Sequence, residues 1–120
     1  MTKEDRNLLV QDLCSRLPYG VKVLYKHSVF DIDYISSMYE EVHLDIVDNY
    51  TIGISEVKPY LFPMSSMTEE QYKEYWELEH SGNMEHLSLP LLEWLNKNHF
   101  DYRDLIPKGL AIDCTGLNIY

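Results

Sequence analysis

The chain has 120 residues, 45% of them apolar and 25% charged, which is the composition of one globular domain rather than of a disordered segment. Twenty acidic and ten basic residues give a formal net charge of −10, so the sequence lacks the basic surface that direct binding to nucleic acid or to an anionic membrane requires. The charged first residues and the absence of a long apolar run predict a cytoplasmic protein with no signal peptide and no membrane-spanning segment.

Residues 3–17 are predicted to form the first helix. Leu9, Leu13 and Leu17 recur at helical spacing and would line one apolar face. Pro18 disfavours helical geometry at the residue before it, so the helix is expected to end there.

The middle third of the chain has the period of β-strands. The segments VKVLYKHSVF and DIDYI alternate apolar with polar residues. A hairpin is predicted near residues 42–57, with strands at 42–47 and 50–57 joined by a turn at Asp48-Asn49. The side chains expected on its solvent face are Glu41, His43, Asp45, Thr51 and Ser55.

Two helices are predicted in the C-terminal half. Thr68 and Gln71 have the spacing of a capping box, which indicates a helix over residues 68–79. The side chains expected on its core-facing side are Tyr72, Tyr75 and Trp76. Apolar residues at helical spacing predict the next helix over residues 89–97.

These elements predict an α+β fold in a single domain that spans residues 1–120. The domain would consist of the N-terminal helix, an antiparallel sheet of about three to five strands that includes the hairpin, and the two later helices packed on that sheet. The segment DYRDLI is predicted to make one short helical turn, and residues 110–114 a final strand.

The segment after the last predicted helix, residues 98–106, collects the side chains that most resemble a functional site. His99 with Asp101 or Asp104 has the residue types of an oriented general base, but no serine or cysteine stands at a recognisable spacing to serve as its nucleophile. His99, Asp101 and Arg103 are therefore only weak catalytic candidates, and a structural role is favoured in which Asn98 adopts the left-handed conformation and Asp101 caps the next turn. The candidate partner-binding residues of this segment are His99, Asp101, Tyr102 and Arg103.

No cofactor or metal is predicted. The five histidines form no HxH, HxxxH or HExxH pattern, and there is no glycine-rich phosphate loop. Cys14 and Cys114 match no zinc-binding spacing and are expected to be reduced and buried.

Ten tyrosines are more than a core of this size needs. Tyrosine is enriched at protein–protein interfaces, where its ring is apolar and its hydroxyl is hydrated. Together with the acidity of the chain, this surplus favours a protein partner, with a homo-oligomer as an alternative.

Three segments carry a resemblance: LPYGVKVLY, VKPYLFPMSSMTEEQYKEY and EWLNKNHFDYRDLIPKGLAID. In their combined order they resemble a family of small uncharacterised proteins carried by gut bacteria, their phages and their integrated elements. The shared pattern covers both ends and the middle of the chain but not residues 28–48. The resemblance implies a cytoplasmic phage or mobile-element protein and implies no activity.

The sequence thus favours a small non-catalytic protein that binds a protein partner in a phage or mobile-element setting. One alternative is an acidic nucleic-acid mimic that inhibits a DNA-binding host protein. Another is a small hydrolase that uses His99 and a neighbouring aspartate.

Overall fold

The computed structural model describes residues 1–45, 51–80 and 89–120, and within them the chain forms three α-helices and seven β-strands. The helices are α1 (Lys3–Arg16), α2 (Glu69–His80) and α3 (Leu89–Lys97). The strands are β1 (Lys22–Tyr25), β2 (Ser28–Ser36), β3 (Glu41–Leu44), β4 (Thr51–Gly53), β5 (Val57–Pro63), β6 (Phe100–Asp101) and β7 (Ile112–Asp113). The predicted α+β class is confirmed. Across the described ranges, no helix has the length and apolar character needed to cross a bilayer.

The strands form one mixed sheet in the order β4-β3-β2-β1-β5-β6, with β7 also paired to β5. The first five strands are antiparallel to their neighbours, whereas β6 and β7 both run parallel to β5. The predicted antiparallel sheet of three to five strands is therefore confirmed for β1–β5, whereas the parallel strands β6 and β7, which make the sheet mixed, are a correction to it. β6 and β7 have two residues each, too few to show an alternation, and Pro59 and Pro63 obscure the pattern of β5.

The predicted hairpin is confirmed by the antiparallel pairing of β3 with β4, in which Val42 lies opposite Ile52. Its predicted turn at Asp48-Asn49 lies outside the described residues. The second strand is shorter than predicted, because residues Ile54–Glu56 form a 3-10 turn after β4. The chain then continues into β5, which pairs with β1 instead.

His43 is only 8% exposed, so the prediction that it faces solvent is wrong. The register between β2 and β3 shifts between Ile32 and Tyr34, where the alternation of the two faces is interrupted. Asp33 Oδ2 lies 3.1 Å from His43 Nδ1, and the Tyr34 ring stacks on the imidazole at 4.7 Å. These two side chains cover the histidine.

The main core lies between α1 and the central strands. Leu9 and Leu13 of α1 are fully buried and pack in one cluster with Val23, Leu44 and Leu61 of the sheet. Leu17 packs against this cluster, as predicted, although it is the first residue of a 3-10 turn rather than part of α1. Cys14, which was predicted to be buried, is exposed. Cys14 and Cys114 are both free thiols, as expected, but only Cys114 is buried.

A second apolar cluster is built on Leu91, Leu95 and Phe100. The half-buried side chains packed against it are Phe62, Met64, Met67, Tyr75, Leu78, Trp94 and Tyr102. This cluster connects α3 and β6 with the inner side of α2. The fold therefore has a large core under α1 and a smaller one beside α2.

The predicted start of α2 is confirmed by a reciprocal capping box. The Thr68 N–H donates to Gln71 Oε1 at 2.9 Å, and the Gln71 N–H donates to Thr68 Oγ1 at 3.1 Å. The predicted core-facing side is only partly correct, because Tyr75 joins the second cluster whereas Tyr72 and Trp76 face solvent.

The chain after α3 forms turns rather than the predicted helical turn. His99 and Asp104 both adopt positive φ, +62° and +58°, which is incompatible with helical geometry. The left-handed position after α3 is therefore His99 and not Asn98. The last strand, β7, is shorter than the predicted 110–114.

Candidate functional site

A buried ion pair lies on the core side of α1. Asp12 and Arg16 are one helical turn apart, and both side chains are completely buried. Arg16 Nε donates to Asp12 Oδ2 at 2.8 Å and Arg16 Nη2 to Asp12 Oδ1 at 3.0 Å. Arg16 Nη2 also donates to the Phe100 carbonyl oxygen at 2.6 Å, which ties α1 to β6.

Two of the predicted site residues, Tyr102 and Arg103, join this ion pair. Arg103 Nη1 donates to Asp12 Oδ1 at 2.9 Å and to the Tyr102 hydroxyl at 2.8 Å. The Tyr102 hydroxyl in turn donates to Asn96 Oδ1 at 2.8 Å. Two guanidinium groups thus share one carboxylate, and both also lie near the Tyr102 ring, at 5.2 Å for Arg16 and 4.6 Å for Arg103.

Asp101, the third predicted site residue, binds the backbone. Its Oδ1 accepts from the Leu105 N–H and its Oδ2 from the Ile106 N–H, both at 2.9 Å. The side chain thus caps the turn that follows, as the sequence predicts. Both carboxylate oxygens accept hydrogen bonds and the residue is only 4% exposed. Asp101 therefore stabilises the conformation of this turn.

His99 is separated from these contacts and stacks on Tyr120. The two ring centroids lie 3.5 Å apart with an interplanar angle of 9°. Burial first, and then the positive charges of Arg16 and Lys22, lower the pKa of His99 to about 4. The imidazole is therefore neutral at pH 7, and its buried Nδ1 has no hydrogen-bond partner among the described residues.

The hydroxyl of Tyr120 bridges β1 and β5. It accepts from the Lys22 N–H and donates to the Tyr60 carbonyl oxygen, both at 3.0 Å. The register in which Val23 faces Pro59 places Lys22 opposite Tyr60, so the phenol occupies the position where a direct bond of the ladder would otherwise form. Burial is the main reason that the pKa of Tyr120 is raised to about 12.

A different surface exposes two aromatic side chains whose ring contacts are to residues of their own helix: Tyr72 lies 6.5 Å from Tyr75, and Trp76 stacks on His80 at 4.1 Å. Tyr72 and Trp76 are one turn apart on α2 and are 60% and 51% exposed. Beside Tyr72 lies a groove of about 460 Å³. It is lined by Met64, Ser65, Met67, Thr68, Glu69 and Tyr72. We call this groove, together with Tyr72 and Trp76, the α2 surface.

The α2 surface is strongly acidic. α2 carries five glutamates and one lysine, and all six of these side chains are exposed. By the helical period, Glu69 and Glu79 lie on either side of the Tyr72–Trp76 pair. The result is an apolar strip bordered by negative charge.

No family model matches the sequence, and no curated protein or solved structure matches the chain. The functional assignment therefore depends on the geometry of the chain's own residues.

The four predicted site residues have different contacts. Arg103 binds Asp12 of α1, the Tyr102 hydroxyl donates to Asn96 of α3, Asp101 caps its own turn, and His99 stacks on Tyr120. Within residues 1–45, 51–80 and 89–120, no group of three or more histidine, cysteine, aspartate and glutamate side chains is arranged to hold a metal ion.

Sequence reasoning missed Asp12 and Arg16, although their pattern was visible. An acidic and a basic residue four positions apart flank Leu13 on the apolar face of a predicted helix, where charged residues are rarely found without a partner. The exposure of Tyr72 and Trp76 had no comparable signal, because the helical period alone does not say which side of a mixed helix faces the core.

Proposed function

We propose that the protein acts by binding a protein partner, and that the α2 surface is where the partner binds. The observation that carries the proposal is the exposure of Tyr72 and Trp76 on a helix that itself contains no buried residue. Tyrosine and tryptophan are the side chains that contribute most to binding energy at protein interfaces. Met64 and Met67 add apolar side chains that adapt to different shapes.

The contacts of the predicted segment support a non-catalytic role. A hydrolase that used His99 as its base would need a carboxylate to orient the imidazole and a nucleophile within reach. Asp101 instead accepts two backbone N–H groups, and the His99 ring stacks on Tyr120. We therefore assign the four residues of this segment to the stability of the fold.

The resemblance to proteins of gut bacteria and their phages makes a phage or mobile-element setting part of the proposal. A narrower version is that the partner is a DNA-binding host protein and that the acidic surface mimics nucleic acid. The five exposed glutamates of α2 support this version. It predicts that double-stranded DNA competes with the protein for the partner, whereas a partner that does not bind DNA would contradict it.

The proposal is tested by affinity capture from host lysate at low and high ionic strength, with bound proteins identified by mass spectrometry. The wild-type protein is expected to retain one stoichiometric partner that the Trp76→Ala variant loses. Tyr39→Ala is the matched control, because Tyr39 is 71% exposed on the turn between β2 and β3. A partner that Trp76→Ala retains as well as Tyr39→Ala does would place the binding site elsewhere.

A further inference from the structure

The α2 surface has the dimensions of a site for one helix. Tyr72 and Trp76 are separated by one turn, about 6 Å along α2, which matches the spacing of apolar side chains on one face of a second helix. The groove beside Tyr72 extends this strip toward Met64 and Met67, so the apolar path does not end with α2. Helical segments commonly bind other proteins by placing an apolar face into such a groove.

The charge of the surface determines which helix can bind there. Glu69 and Glu79 border the aromatic pair, and α2 contains one lysine, Lys73, no arginine, and His80 in its last turn. An acidic or neutral segment would leave these carboxylates unpaired at the interface, and a second copy of this chain, with a net charge of −10, would be repelled. Lysine or arginine side chains beside an apolar face would instead pair with the glutamates.

We propose that the α2 surface binds a basic amphipathic helix of the partner protein, an inference that rests on the proposed function. Apolar side chains one turn apart on that helix contact Tyr72 and Trp76 and enter the groove at Met64 and Met67. Its basic side chains flank the apolar face and approach Glu69 and Glu79.

The experiment uses the full chain and three labelled synthetic peptides of roughly 15 residues, about the shortest length at which an isolated helix is populated in water. The first contains lysine and leucine with leucine at helical spacing, the second has the same composition in scrambled order, and the third replaces lysine with glutamate. Fluorescence anisotropy measures the Kd of each. The first peptide is expected to bind at least about tenfold more tightly than the other two, and equal binding of the first two peptides would overturn the proposal.

Variants locate the binding site. Trp76→Ala is expected to weaken binding of the first peptide by at least about tenfold, whereas Tyr39→Ala should leave it unchanged. Tyr72→Ala repeats the test at the other end of the strip, and circular dichroism confirms that each variant is folded. Unchanged binding in both folded α2 variants would overturn the proposal.

A charge variant tests the role of the carboxylates. The double variant Glu69→Gln and Glu79→Gln is expected to weaken binding and to reduce its dependence on salt. The matched control, Glu4→Gln with Glu56→Gln, removes the same charge from exposed positions outside α2. Equal effects of the two double variants would show that net charge alone attracts the peptide and would overturn the proposal.

The two proposals fail in different ways. If a partner is captured from lysate in a manner that requires Trp76 but no peptide binds, the partner is not a basic amphipathic helix and the proposed function stands. If the captured partner is indifferent to Trp76, the proposed function itself fails.

Discussion

Asp12 is the carboxylate on which two arginine side chains depend. It accepts three hydrogen bonds, two from Arg16 and one from Arg103, while being fully buried. A buried ion pair adds little net stability, because the desolvation of the charges offsets their attraction. Removing one partner is different, since the remaining charge stays buried without compensation.

Asp12→Ala is therefore expected to lower the free energy of unfolding by about 3–5 kcal/mol, because it leaves Arg16 buried and uncompensated. Urea denaturation followed by circular dichroism measures the loss. Glu77→Ala, which removes an exposed carboxylate from the middle of α2, is the control and should change stability by no more than about 0.5 kcal/mol. Similar losses in the two variants would contradict this account of Asp12.

His99 is expected to make stability depend on pH. Its pKa is about 4 in the folded chain and 6.5 when unperturbed, so between these values the unfolded chain binds about one more proton than the folded chain at this position. The free energy of unfolding should thus fall as the pH is lowered from 6.5 to 4 and should be unaffected by His99 above that range.

The variant His99→Asn tests this expectation, because asparagine tolerates the positive φ of this position and does not titrate. Its stability should decrease less steeply than that of the wild type over the same pH range, measured by urea denaturation at several pH values. His27→Asn, at an exposed turn, should keep the wild-type slope. If the free energy of unfolding of His99→Asn falls with pH as steeply as that of the wild type, the folded chain does not lower the pKa of His99.

At the scale of elements, local signals predicted the helices well and the sheet poorly. Helix ends depend on neighbouring residues, as the capping box of Thr68 and Gln71 shows. The pairing of β5 with β6 and β7 depends on residues about 40 to 50 positions apart, which no local period encodes. The sequence does not predict the bridge that Tyr120 makes between β1 and β5, because its partners are also distant along the chain.

Tyr120→Phe is expected to destabilise the protein by about 1–3 kcal/mol, because it keeps the ring on His99 but leaves the Lys22 N–H and the Tyr60 carbonyl without their hydrogen bonds. Urea denaturation measures the loss, and hydrogen exchange should be faster at the Lys22 amide. Tyr39→Phe at an exposed turn is the control. If Tyr120→Phe behaves like that control, the hydroxyl bridge contributes nothing to the β1–β5 pairing.

At the scale of the whole molecule, the two apolar clusters differ in how many buried side chains they contain. The larger cluster joins α1 to the central strands, whereas the smaller one has Leu91, Leu95 and Phe100 as its buried members among the residues that the structure describes. α2 contributes only half-buried side chains to it. Elements with few buried contacts open at a lower free energy than the core does.

The backbone amides of α2 are therefore expected to exchange hydrogen faster than those of α1 and β1, by at least about tenfold under native conditions. Native-state hydrogen exchange followed by mass spectrometry measures the difference. Addition of a partner or peptide that binds the α2 surface should slow exchange in α2 and leave α1 unchanged. Equal protection of α1 and α2 in the free protein would mean that the two clusters open as one unit.

The candidate site shows where sequence reasoning stops. The segment around His99 is rich in polar residues, and the sequence correctly favoured a structural role for Asp101. It did not predict that Arg103 binds Asp12, because these residues are 91 positions apart. It also placed Trp76 in the core, since whether an aromatic residue is buried is decided by the element opposite it.

The distances along the chain between the partners of Asp12 and Arg16 have a consequence for protein synthesis. Phe100 follows Arg16 by 84 positions and Arg103 follows Asp12 by 91. At translation rates of about 5–20 residues per second, α1 leaves the ribosome several seconds before these groups exist. A nascent chain arrested before residue 100 would expose the charged core side of α1 with no partner in β6, so we expect stalled chains to be substrates for chaperones and proteases, while released chains that contain residues 100–103 are protected from them.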